Sequence, residues 1–231
     1  MKSLALKISM AVLSMIPLVA KAELIVLASP QSNDAYYAKM IDDIFDFHVD
    51  YAKKIIKNGD NVVVLTDKDL YPDYVKALGK KHVAIAPMHD IWMRDFTSAN
   101  PAQPVMFRYT AAGQGGAKKG QAISDEVQDE FKYYSQKAGL QFTQSKLLND
   151  GGNWVENGYG NLVLSTKFLA DNKLTESEAR KKLMALTGAK QIAFIEADEQ
   201  GGLEHADGVV SLVDQNTLVI NAYPSRLCQA T

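Results

Sequence analysis

Short apolar runs alternate with longer amphipathic stretches along the chain. Glu23 to Ala28, Val62 to Leu65, His82 to Ala86, Val105 to Tyr109, Phe142 to Leu148 and Gln191 to Ile195 have the length and composition of strands. Between the first two, Tyr37, Ile41, Ile44, Phe45, His48, Tyr51, Ala52 and Ile55 fall near one face of a helix spanning Asp34 to Lys57, stopped by Asn58-Gly59. Lys68 to Leu78 predicts a short helix containing Pro72 and ended by Gly79. Ser124 can cap a helix that reaches Lys137 and stops at Gly139. Thr175 with Glu178 forms a capping-box pattern for a helix to Leu186. Asn157-Gly158 sits between Trp154 to Glu156 and Leu162 to Ser165, a hairpin signal, and Val209 to Val213 with Thr217 to Ile220 predicts a final hairpin. The run GQGGAKKG, Gly113 to Gly120, reads as a mobile loop. It lacks the Gly-Lys-Ser/Thr ending of a phosphate loop, and no clear helix opens directly after it.

The order contains a repeat. Helices end at Gly59, Gly79, Gly139 and Gly188, a strand follows each, and a loop with acidic residues closes each strand. Those loops carry Asp67, Asp90 with Asp95, Asp150, and His205 with Asp207. The predicted class is α/β. Repeated supersecondary units need neighbours to cover their open faces, which favours a radial or stacked arrangement over an ordinary α/β sandwich. Strands set side by side around an axis would bring equivalent loops together.

The ends and the charge change the picture. Lys2 and Lys7, the apolar run Ile8 to Val19 and the small-x-small site Ala20-Lys21-Ala22 predict a signal peptide over residues 1–22. The apolar run is short for a membrane-spanning helix, so stable insertion after cleavage is not expected. Removing residues 1–22 takes away three lysines and no acids, and carries the net charge from −2 to −5. Nucleic acid is therefore not an expected partner, because its binding needs concentrated positive charge. Cys228 is the only cysteine, so the chain can form no internal disulfide.

Three of the loops could carry chemistry: Trp92-Met93-Arg94-Asp95, Asp150-Gly151-Gly152-Asn153-Trp154 and Glu204-His205-Ala206-Asp207-Gly208. A guanidinium is flat, permanently charged and has its donors in a fixed fork, so carboxylates grip it edge-on. Aromatic faces such as Trp92 or Trp154 can cover its plane. Asp95 and Asp207 can thus act as two edge clamps, and His205 beside Asp207 can transfer protons near neutral pH. Each motif alone has a plainer reading. Arg94-Asp95 can be a structural ion pair, and DGGN a tight turn using the positive φ that glycine allows. His205 can be a satisfied loop histidine, and Trp154 a core residue.

Together, WMRDF, the GGNW segment followed by NGYGNLVLSTKFL, and EHADG resemble the agmatine deiminase and bacterial peptidylarginine deiminase family of guanidine-modifying enzymes, over about Glu23 to Tyr223. The resemblance implies part of a five-bladed α/β propeller of ββαβ units, with about three blades in residues 23–231. It also implies that Asp95 and Asp207 hold the guanidinium, that His205 is general acid and base, and that Trp92, Asp150 and Asn153 contact substrate. Asp150 stands where agmatine deiminases usually carry a glutamate. The expected substrate is a small guanidinium compound or an arginine-containing peptide, with no metal or organic cofactor.

The nucleophile of that family is a cysteine in a Gly-rich, His-Cys segment near the C-terminus, whereas Cys228 lies in NAYPSRLCQAT without that histidine or those glycines. The chain is therefore expected to be C-terminally incomplete and inactive as it stands. Two other readings remain at this point. One is a non-catalytic guanidinium-binding relative, and the other a metal-dependent hydrolase using His89, Asp90, His205 and Asp207.

Overall fold

The computed structural model describes residues 24–99, 103–196 and 203–222. The predicted signal peptide and Cys228 lie outside them. β1 (Leu24–Ala28) pairs in parallel with β2 (Asn61–Thr66), and α1 (Ile41–Lys57) crosses between them. On β2 the period of two is strict: Val62, Val64 and Thr66 are buried while the residues between them are not. α1 buries His48, Ala52 and Ile55, the spacing of one helical face.

α1 begins seven residues later than its periodicity suggests. The carboxylate of Asp34 accepts the amides of Tyr36 (2.8 Å) and Tyr37 (3.3 Å), closing a local turn in place of a first helical turn. Asp67 does the same before α2 (Tyr71–Leu78), accepting the amides of Asp69 and Leu70. Pro72 then lies in the first turn of α2, where its missing N–H costs nothing. After Gly79, a short 3-10 turn leads to β3 (Val83–Ile85), parallel to β2.

The loop after β3 carries α3 (Met93–Phe96), anchored by buried Met93 and Phe96. β4 (Val105–Arg108) follows, then a 3-10 turn over Ala112–Gln114 and α4 (Ala117–Lys137). Here the expectation needs correcting: much of the glycine-rich run lies in the turn and in α4. Gly120 sits where a Cβ would come 2.7 Å from the Gln114 carbonyl oxygen and 3.0 Å from that of Ala111. Its lack of a side chain lets α4 lie on the preceding turn. Ser124 is therefore inside the helix rather than capping it, and its hydroxyl donates to the Thr110 carbonyl at 2.6 Å.

β5 (Thr143–Leu148) is parallel to β4. β6 (Val155–Glu156) and β7 (Asn161–Ser165) form the predicted hairpin. α5 (Lys167–Asn172) and α6 (Glu176–Thr187) then lead to β8 (Gln191–Ile195), parallel to β7. α6 opens with the predicted capping box of Thr175 and Glu178. β9 (Val210–Leu212) and β10 (Leu218–Ile220) form the last hairpin.

The result is an α/β fold of four separate sheets, ordered β1-β2-β3, β4-β5, β6-β7-β8 and β9-β10, with no closed sheet among the described residues. Strand, helix and parallel strand recur, and the segments leaving β3, β5 and β8 all lead to the three motif loops. Two cores hold those loops from behind. Met88, Met93, Phe96, Met106 and Tyr109 pack under the first. Phe107, Trp154, Leu164 and Phe168 pack under the second. Trp154 is thus a core residue, 4% exposed, and covers no ligand plane.

His48 supplies a test of this packing. Its Nδ1 meets the Tyr74 hydroxyl at 3.1 Å, and burial lowers its pKa to about 4. A depressed folded-state value means the buried neutral ring contributes stability above the unfolded value of 6.5, lost as pH falls toward 4. The full loss is on the order of 3 kcal/mol. His48→Leu should flatten the stability-versus-pH curve between those limits in urea titrations. An unchanged slope would contradict this account of α1.

Candidate functional site

The first loop is shaped by Asp90. Its carboxylate accepts the Trp92 amide at 3.1 Å and the Gln114 side-chain amide at 2.8 Å, which turns the chain into α3. With Met93 and Phe96 anchored in the core, Arg94 and Asp95 are directed toward the other two loops. Trp92 is 62% exposed.

The second loop carries Asp150, 2% exposed. Its Oδ1 accepts the Thr110 amide at 2.9 Å, and its Oδ2 accepts the Thr110 hydroxyl at 2.9 Å. The same Oδ2 lies 3.2 Å from His205 Nε2. Asn153 is also buried: its side-chain oxygen accepts the Ser165 amide at 2.6 Å and its nitrogen donates to Asn149. Asp150 and Asn153, both expected to touch substrate, are buried at the base of the second loop. Their polar atoms are committed to holding the loop and His205.

The third loop enters through Glu204, whose φ of 48° is left-handed, an uncommon conformation for a side chain of this kind. Ala206, fully buried against Val155, Val163 and Val210, anchors the short turn that follows. His205 then lies between two carboxylates, Nε2 on Asp150 and Nδ1 4.0 Å from Asp95 Oδ1. Burial alone would lower its pKa. The hydrogen bond to Asp150 and the charges of Asp95, Asp150 and Asp207 outweigh that and raise it above the ordinary histidine value. Burial pushes Asp95 up to about 6, opposed by His205 and reinforced by Asp150.

The two glycines of the second loop have a purpose other than positive φ, which neither adopts. A Cβ on Gly151 would come 1.7 Å from the Arg94 carbonyl oxygen, and one on Gly152 would come 2.2 Å from His205 Nδ1. The amide of Gly152 donates to Asp95 Oδ1 at 3.0 Å. DGGN is therefore the seam along which all three loops touch, and it is a close approach rather than a tight turn that requires glycine.

Arg94 does not pair with its neighbour Asp95. Its Nε donates to Asp207 Oδ2 at 2.9 Å, and a terminal nitrogen donates to the Trp154 carbonyl at 2.9 Å. Asp207 is thus tied to the first loop, close enough for its charge to act on both His205 and Asp95. Tyr109 and Thr110 complete the site and were missed in the sequence. Tyr109 is 2% exposed, and its hydroxyl is raised by burial and by the charges of Asp90, Asp150 and Asp95. The signal for Thr110 is the parallel register of β4 and β5: Arg108 faces Leu148, which sets Thr110 beside Asp150 two residues on.

The metal reading finds no matching geometry. His89 Nδ1 and its amide both engage Glu130, at 2.6 and 2.7 Å, and Asp90 is held by Gln114. Among the described residues, no group of three or more His, Cys, Asp or Glu side chains has the geometry to hold a metal ion. No described helix is long and apolar enough to cross a membrane.

Asp95, Asp150, Asp207 and His205 thus converge from three loops on an α/β scaffold. The chain belongs to the Porphyromonas-type peptidyl-arginine deiminase family, whose sequence profile matches residues 14–229. None of the curated proteins matches it significantly. Among solved structures, the agmatine deiminase of C. jejuni is similar, with a TM-score of 0.66 and 19% identity, over 86% of this chain and 60% of that one. A cysteine-to-serine variant of that enzyme with substrate bound gives 0.64 and 19%, over 86% and 61%. The agmatine deiminase of Enterococcus faecalis gives 0.67 and 13%, over 89% and 60%. At these identities the likeness is one of fold, and the chain spans about three fifths of the length of those structures.

Gly152→Ala tests the seam. The added methyl must push the His205 ring away, so the pKa of His205 should fall from its raised value and the protein should lose about 1–3 kcal/mol. NMR titration and thermal melts read the two effects. A His205 titration identical to wild type would show that the loops do not meet as described.

Proposed function

We propose that the chain carries the guanidinium-holding and proton-transferring part of a deiminase, which converts the guanidinium of agmatine or peptidyl arginine to a ureido group and ammonia. The observation that carries the reading is His205 held with one ring nitrogen on Asp150 and the other facing Asp95. Carboxylates at both nitrogens favour the imidazolium, the form that can protonate a departing amine. Asp95 and Asp207 hold the guanidinium from opposite edges, and Trp92 covers its plane. A thiolate adds to the guanidinium carbon, the C–N bond breaks, and ammonia leaves with a proton from His205. Water then attacks the covalent intermediate as His205 takes its proton, the C–S bond breaks, and the ureido product and thiolate are released. Asp150 orients His205 throughout.

Cys228 has no adjacent histidine or glycines, so in this reading the reacting thiol is supplied by another segment. The four sheets belong to a five-bladed propeller, of which this chain forms about three blades. Residues 1–22 direct export to the periplasm or beyond, which favours peptide or protein arginine over a polyamine precursor. Exported material should begin at Glu23. N-terminal sequencing that returns Met1 from the soluble fraction would remove the export argument.

The main test separates binding from turnover. Purified residues 23–231 should bind agmatine or an arginine peptide in calorimetry, and Asp95→Asn should weaken that binding at least about tenfold. Affinity should also decline as pH falls below about 6, where Asp95 takes up a proton. Ammonia and ureido product should be absent, and should appear when a longer gene product supplies the thiol. Failure of both ligands to bind sinks the reading. Turnover abolished by Cys228→Ser would instead make Cys228 the nucleophile.

A further inference from the structure

We propose that Thr110 is a positioning residue that sets how tightly His205 holds its proton, acting through the shared oxygen of Asp150. This rests on the reading of His205 as the proton-transferring group. Asp150 Oδ2 is contacted by the Thr110 hydroxyl at 2.9 Å and by His205 Nε2 at 3.2 Å. The two donors divide one oxygen, and the hydroxyl is the closer. The direction of that hydroxyl is fixed by its surroundings. Its oxygen accepts the Ala112 amide at 3.3 Å, which leaves the hydroxyl proton for Asp150.

Thr110 is itself clamped. Its amide donates to Asp150 Oδ1, and its carbonyl accepts the hydroxyl of fully buried Ser124 from α4. The chain of contacts therefore runs Ser124, Thr110, Asp150, His205, with all but His205 less than 5% exposed. Other groups face the ring as well. Asp95 from the first loop and Asp207 from its own loop act on His205, and Arg94 partly balances Asp207. None of them contacts Asp150 Oδ2 as Thr110 does.

The sign follows from hydrogen-bond competition. A donor to a carboxylate draws off part of its negative charge and makes it a weaker acceptor for any other donor. Removing the Thr110 hydroxyl leaves His205 as the side-chain donor to Oδ2, and the imidazolium gains what the hydroxyl gave up. In Thr110→Val the His205 pKa should rise by roughly half to one unit, on the scale of one hydrogen bond to a charged group. Thr110→Ser keeps the hydroxyl and should titrate like wild type.

The experiment is an NMR titration of the histidine ring signals in the full chain, with His48, His82 and His89 as internal references. A rise in Thr110→Val that Thr110→Ser reverses supports the proposal. A His205 value that stays within about 0.2 units of wild type, or falls, overturns it. The wild-type protein provides a second measurement should Thr110→Val not fold. The Thr110 hydroxyl proton should exchange slowly enough to give its own resonance, with a cross-peak to the His205 ring, and absence of that resonance overturns the proposal too. The two readings fail separately. A His205 pKa that follows the hydroxyl in protein that binds no guanidinium supports the coupling and sinks the proposed function. An unresponsive His205 in protein that binds agmatine sinks the coupling alone.

Discussion

A carboxylate buried as deeply as Asp150 must be surrounded by donors, because removing an ionised group from water without compensation costs far more than any single contact returns. The described fold meets that demand from two directions. The segment just after β4 supplies the amide and hydroxyl of Thr110, and the last loop supplies His205. Satisfying one charge therefore ties together segments that lie 40 and 55 residues away in sequence. The Gly151-Gly152 seam follows from the same demand. His205 can reach Asp150 only if the backbone beside it has no side chain in the way.

The order of elements was legible because periodicity and punctuation agreed. β2 alternates strictly, α1 buries one face, and the residues at Gly59, Gly79, Gly139 and Gly188 adopt the positive φ that ends a helix cheaply. Helix starts were less legible. Asp34 and Asp67 divert amides that periodicity assigns to a helix, and Gly120 permits a helix to begin inside a glycine-rich run. Such competition depends on where a side chain points, which composition does not record.

The site was legible as chemistry and less so as geometry. Asp95, His205 and Asp207 stood out because carboxylates and histidine closing successive strands are hard to explain as surface decoration, and their loops do meet. The division of labour among them was hidden. Arg94 is adjacent to Asp95 but serves Asp207, since a guanidinium fork follows its own reach and not the order of residues. Asp150 and Asn153 have the residue types of ligand contacts, and the hydrogen bonds by which they hold Thr110, His205 and Ser165 were not visible in the sequence. Thr110 carries no signal until the register of β4 and β5 is known.

The pairing of Arg94 with Asp207 has a consequence for how a cation would be told apart from its competitors. One oxygen of Asp207 is occupied by Arg94, and one oxygen of Asp95 by the Gly152 amide. Each carboxylate then meets a guanidinium fork with one oxygen already hydrogen-bonded. Recognition becomes a matter of span: a ligand has to bridge the gap between one oxygen on each side, as an object is gauged between the jaws of a caliper. A compact ammonium head can satisfy one jaw at a time, whereas a flat, wide cation reaches both. Under the proposed function, discrimination would reside in the separation of two loops, and the glycine seam that fixes that separation would act as its calibration.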